Sequence, residues 1–128
     1  LRASAISLQR VDADPHLVVA ANRVRLEQVL MNLLQNASEA VADRADPRVK
    51  ITSGAEDAGA WIEIEDNGPG IPSDQLERLF TPFATTKKNG LGLGLVICRD
   101  ILAAFGGSLE YRAAAMSGAC FRIRLGTC

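Results

Sequence analysis

No apolar run in this sequence approaches the roughly 18 residues that a membrane-spanning helix needs, and no signal-peptide pattern opens it. Cysteine is scarce and odd in number: Cys98, Cys120 and Cys128 have no close pair spacing. That argues against a disulfide framework and against a zinc site, and it fits a reducing compartment. Charge of neither sign prevails. A net charge of −1 gives no sign of a nucleic-acid surface or a general anion trap, so any phosphate recognition must be local. Aromatics are few, and Trp61 and Tyr111 lie in strand-like patterns, so no set of base-stacking rings is present. What remains is ordinary: 48% apolar and 23% charged residues, as in soluble globular proteins. At 128 residues the chain reads as one domain, large enough for a core without metal or disulfide staples. Leu1 is not Met, and helix-breaking punctuation is sparse before Asp14-Pro15, so residues 1–128 read as a single domain excised from a longer protein.

Residues 3–8 and 16–21 have the look of short strands, with a turn at 12–15. Asn22 is a good N-cap for a helix over 23–43, where Leu26, Val29, Leu30, Leu33, Leu34, Ala37, Ala40 and Val41 recur at helical spacing. Asp46-Pro47 ends it. Two alternating runs follow, 49–52 and 61–65, joined by a Gly/Ala-rich link over 54–60. Pro72-Ser73-Asp74 caps a short helix through Leu79, and residues 81–90 read as a loop. A second apolar helix, 95–105, stops at Gly106-Gly107. Strands at 108–112 and 120–125 close the chain. This order predicts an α/β fold of two layers, a mixed, mostly antiparallel sheet packed on about three helices.

Three segments carry chemistry. At about 100° per residue, Asn32 and Asn36 share one helix face with Gln28 and Glu39, at the margin of the apolar stripe. From a margin, two carboxamides reach a cleft while the Leu face holds the sheet. Taken alone they read equally well as ordinary surface residues. Asp66-Asn67-Gly68-Pro69-Gly70-Ile71 leaves a strand through residues that any tight turn selects. Gly90-Leu91-Gly92-Leu93-Gly94-Leu95 fails the G-x-G-x-x-G spacing and lacks the Gly-Lys-Ser/Thr of a P-loop. It does offer bare main-chain N–H groups feeding a helix N-terminus, an arrangement that holds phosphate without net positive charge.

In this order the three segments resemble the N, G1 and G2 boxes of the gyrase, heat-shock chaperone, histidine kinase and MutL superfamily, the Bergerat ATP fold. The run Leu79-Phe80-Thr81-Pro82-Phe83-Ala84-Thr85-Thr86-Lys87 resembles the F box of sensor histidine kinases, most of all the nitrogen-regulation and dicarboxylate-sensing branch. The resemblance spans about 22–125 and implies the catalytic and ATP-binding domain of such a kinase. It gives Asn36 a magnesium ion, with Asn32 as its polar neighbour, and Asp66 the exocyclic amino group of adenine. Gly68 and Gly70 would lie against the base, with Ile71 beside them. Gly90, Leu91, Gly92, Leu93, Gly94 and Leu95 would form a lid over the phosphates, with Phe83, Thr85 and Thr86 in the lid region. Lys87 would reach a terminal phosphate, while Lys88 reads as solvated; Phe80 reads as core.

The resemblance further implies ATP and Mg²⁺ as cofactors, and two partners: the parent's own phosphoacceptor-His dimerisation domain and a response regulator's receiver domain. It implies no nucleic acid, no direct membrane contact, a cytoplasmic location and a monomeric domain. Asn32 replaces the Glu that activates water in the gyrase and MutL branch, which favours transfer over hydrolysis. His16 follows Pro15 and opens an apolar run, unlike the acceptor pattern, so no acceptor is expected in this chain. Glu39 stands where many relatives have a basic residue, and Ala119 where Thr is frequent. Both departures keep a non-catalytic nucleotide sensor open as an alternative, beside a hydrolytic ATPase of the same fold.

Overall fold

The computed structural model describes residues 7–12 as backbone, together with residues 22–56, 59–81, 94–113 and 118–126. Five strands form one sheet in the order β1-β2-β3-β5-β4: β1 Ser7–Asp12, β2 Arg48–Glu56, β3 Gly59–Asp66, β4 Ser108–Ala113 and β5 Ala119–Gly126. Only β1 runs parallel to its neighbour, β2; the other pairings are antiparallel. The helices are α1 (Arg23–Ala40), α2 (Ser73–Leu76) and α3 (Gly94–Ala104). The expected mixed sheet on three helices is what forms.

Helix α1 starts where its cap predicts: Asn22 Oδ1 accepts the Arg25 N–H at 3.1 Å. It buries Val29, Leu33 and Ala37, with Val41 just past its end, against Ile64, Phe121 and Ile123 of the sheet. Helix α3 buries Cys98 and Leu102 into the same core. It stops as the glycine pair predicts. Gly106 takes φ +75°, its N–H bonds to Ala103 O at 3.0 Å, and Gly107 N–H bonds to Leu102 O at 2.8 Å. These are the two bonds of a Schellman motif, so the last carbonyls are satisfied.

Three boundaries differ from expectation. The first strand runs to Asp12, through residues expected to begin a turn. Its partner residues on β2 are Ser7↔Arg48 to Asp12↔Ser53, and the crossover through α1 that parallel strands require brings it there. Gly54–Ala60 is not a link: β2 continues to Glu56 and β3 starts at Gly59. Gly54 faces Trp61 across the ladder, and a Cβ there would lie 2.6 Å from the indole ring. The glycine serves cross-strand packing rather than a turn. Helix α2 ends at Leu76, and i→i+3 bonds from Arg78 to Gln75, Leu79 to Leu76 and Thr81 to Arg78 tighten the chain after it. Residues 3–6 and 16–21, and with them His16, lie outside the described residues.

The sheet face away from the helices is ionic. Arg122 places Nη2 and Nε 2.6 and 2.7 Å from Glu63 Oε2 and stacks over Trp61 at 5.0 Å. Arg124 Nη1 lies 2.7 Å from Glu110 Oε1. Among the described residues no helix is long and apolar enough to cross a membrane.

Candidate nucleotide site

Strand β3 ends by burying a carboxylate. Asp66 is 4% exposed, the one charged residue in the described core. Its Oδ1 accepts two main-chain N–H groups, Gly68 at 2.9 Å and Ala119 at 3.2 Å. Burial pushes its pKa above the ordinary carboxylate range; the two N–H bonds pull it back, Glu65 raises it further and Arg44 lowers it. A buried acceptor of this kind stands ready for a neutral donor.

The turn after Asp66 is fixed on every side. Asn67 Oδ1 accepts the Arg48 N–H at 2.9 Å and its Nδ2 donates to Asp46 O at 2.7 Å, fastening the turn to the start of β2. A Cβ on Gly68 would lie 2.7 Å from Ala40 O, so the turn sits on the last residue of α1. Gly70 takes φ +76°. Ile71 packs its side chain on the core and donates its N–H to Tyr111 Oη at 3.3 Å.

Asn32 and Asn36 are both half-buried on α1, where the spacing puts them. The Cys98 thiol of α3 donates to Val29 O of α1 at 3.8 Å; burial raises that thiol's pKa, and the neighbouring Asn32 side chain pulls it back. Asn36 lies between Asn32, which meets α3, and Ala40, which meets Gly68, about one turn from each. The helix margin therefore runs from α3 to the Asp66 turn. Glu39 is exposed and takes a 3.4 Å bond from Gln35 Nε2. Gly94 opens α3 with no atom near a would-be Cβ, and Leu95 packs on the core. Arg99, one turn further, stacks over Phe80 at 5.2 Å and reaches its carbonyl at 3.5 Å, which ties the end of the α2 segment to α3. Phe80 is part of the core packing, as expected.

The structure thus gathers Asn32, Asn36, Asp66, Gly68, Gly70 and Ile71 along one helix margin and the turn beside it. Phe83, Thr85, Thr86, Lys87, Lys88, Gly90, Leu91, Gly92 and Leu93 lie outside the described residues. Sequence reasoning missed Gly118, Tyr111 and Cys98. A Cβ on Gly118 would collide with the Asp66 carbonyl and Oδ1. The glycine of Ser117-Gly118-Ala119 is the signal in the sequence, and at position 119 the contact is made by the main chain rather than by a side-chain hydroxyl.

Residues 21–127 match the model of the histidine kinase-, DNA gyrase B- and HSP90-like ATPases. The chain is 45% identical over 117 residues to the C4-dicarboxylate transport sensor protein DctB of Rhizobium meliloti (strain 1021), covering 91% of this chain and 19% of that one. It thus spans about a fifth of the length of this curated relative. The catalytic domain of histidine kinase ThkA, in a nucleotide-free form, superposes with a TM-score of 0.86 at 36% identity, covering 95% of this chain and 79% of that one. Full-length ShkA in complex with AMPPNP superposes with a TM-score of 0.81 at 29% identity, covering 96% and 26%. The chain belongs to this ATPase family, in its sensor histidine kinase branch.

Proposed function

We propose that this domain captures ATP with Mg²⁺ and presents the γ-phosphoryl group to a His on a separate helical dimerisation domain. The phosphoryl group would pass next to an Asp on a response regulator. The observation that carries the reading is the buried Asp66 carboxylate, held through Oδ1 by the Gly68 and Ala119 N–H groups. Oδ2 takes neither of those bonds and is the atom assigned to the adenine amino group. Guanine presents a carbonyl there, and two facing acceptors would repel it.

The residues fit the nucleotide. Asn36 would contribute one neutral oxygen toward Mg²⁺, with phosphate oxygens and water as the other ligands. No group of three or more His, Cys, Asp or Glu that would hold a metal alone exists among the described residues. That agrees with an ion that arrives with its phosphates. Bound ATP–Mg²⁺ supplies the transferable phosphoryl group and neutralises its charge. The chain's own share is positioning. Asn32 carries a carboxamide, which has no basic function, and this supports transfer over water activation.

A titration with fluorescent ADP, with and without Mg²⁺, tests binding; saturation below millimolar nucleotide supports the reading and its absence removes it. Mixing the domain and ATP with a matched acceptor-bearing helical domain should yield acid-labile phosphohistidine. Failure with a verified cognate partner would favour a nucleotide sensor without transfer activity.

A further inference from the structure

We propose that Tyr111 is a positioning residue for base recognition: its hydroxyl sets where the Asp66–Ile71 turn ends, and hence the spacing between the turn's main chain and the Asp66 carboxylate. The inference rests on the nucleotide reading above.

Register places the two residues. On the core face, Ile51, Ile64, Phe121 and Tyr111 form one row across β2, β3, β5 and β4. Asp66 is two residues along β3 from Ile64, about 7 Å further toward that end of the sheet. Strand β5 separates it from β4. The turn that leaves Asp66 must therefore travel toward the edge strand for Ile71 N–H to reach Tyr111 Oη at 3.3 Å.

The start and the end of that turn are held differently. Near Asp66 the chain is fixed five times over, by the Gly68 and Ala119 N–H groups on Oδ1, by the two Asn67 side-chain bonds and by the Asn67 N–H on Arg48 O. At Ile71 the side chain rests on the core, but a side-chain contact does not orient an amide plane. The Tyr111 hydroxyl does. Ala119 and Ala113, one step beyond the Glu65↔Cys120 pair, and Gly118 just before β5 are small, so no bulky side chain from them props the turn. The tyrosine ring is itself steadied edge-on against Phe121, with centroids 5.6 Å apart at 64°. A rigid ring on the edge strand thus carries one oxygen to the far end of the turn.

Tyr111→Phe removes that oxygen and leaves the ring. Affinities for ADP, GDP and inorganic tripolyphosphate are measured by calorimetry for both proteins, together with the exchange rate of the Ile71 amide by NMR. The expected result is an ADP affinity roughly three- to tenfold weaker and a smaller preference for ADP over GDP. Tripolyphosphate affinity should not change, and the Ile71 amide should exchange faster. Equal ADP affinity in the two proteins, or an equal loss for ADP and tripolyphosphate, overturns the positioning role while leaving the nucleotide reading in place. Absence of saturable ADP binding by the unsubstituted chain overturns both.

Discussion

The main-chain N–H of Ala119 lies 3.2 Å from Oδ1 of Asp66, across 53 residues of sequence. A main-chain donor belongs to every residue type but proline. The bond therefore survives the alanine that replaces the hydroxyl residue frequent at this place, and the departure at position 119 leaves the carboxylate supported.

Replacement of Asp66 by Asn should keep the two N–H bonds on the remaining oxygen and turn an NH₂ toward the adenine amino group. Two donors then face each other. ADP affinity should fall roughly ten- to hundredfold, and phosphate-only ligands should bind as before. Intact ADP affinity in calorimetry would show that the base lies elsewhere.

The same carboxyl predicts a pH effect on stability. Burial raises its folded pKa above the ordinary 3.8, so the folded state holds this proton more tightly than the unfolded chain. Its stabilising share is complete below 3.8 and is lost as pH rises through the folded value. Ionised Asp66 is thus a net cost at neutral pH. Asp66→Asn should melt at a higher temperature than the native chain at pH 8, by a margin that shrinks as pH falls toward 4. A margin independent of pH, by calorimetric melting, would contradict this.

Gly118→Ala should be among the costliest single-methyl additions, because the new carbon meets the Asp66 carbonyl and Oδ1, neither of which can retreat from its bonds. A loss of about 1–3 kcal/mol is expected from such overpacking, with ADP affinity falling alongside because Oδ1 is held by Gly68 and Ala119. Urea unfolding and nucleotide titration read the two effects. An unchanged midpoint would mean that the turn is looser than its contacts imply.

Asn36→Ala should leave the fold intact and abolish the tightening of ADP binding by Mg²⁺. Titrations in EDTA and in magnesium separate this from a general loss. If magnesium still tightened binding, the ion's protein ligand would be another residue.

Cys98 and Cys120 are buried, and burial drives the Cys120 thiol up to about 12. Neither should react with iodoacetamide at pH 8 until denaturant is added. Peptide mapping that found either residue alkylated in the native protein would place it at an opening site.

Much of this was legible in the residues, for definite reasons. Asn22 announced α1 and Gly106-Gly107 ended α3, because caps are local and their partners lie within a few positions. Asp66-Asn67-Gly68 was legible as a turn, yet Asn67 proved to be the clamp onto Asp46 and Arg48, a bond spanning about twenty residues that no local pattern encodes. Strand β1 was half visible, since a parallel edge strand takes its register from β2 rather than from its own alternation. Gly54 read as a linker because its partner, Trp61, becomes its neighbour only in the folded sheet. The site followed the same rule. Its side chains stood in the motifs, while Gly118, the Ala119 N–H and Tyr111 came from the far end of the chain.

Helix α3 has one sealed end. The N–H groups of Gly106 and Gly107 close on the Ala103 and Leu102 carbonyls, which fixes where the helix stops. At the other extreme, a Cβ on Gly94 would stand in open space, and one turn past Leu95, Arg99 stacks on Phe80. The register of this rod is accordingly set from its closed end, and Arg99 carries that register across to Phe80.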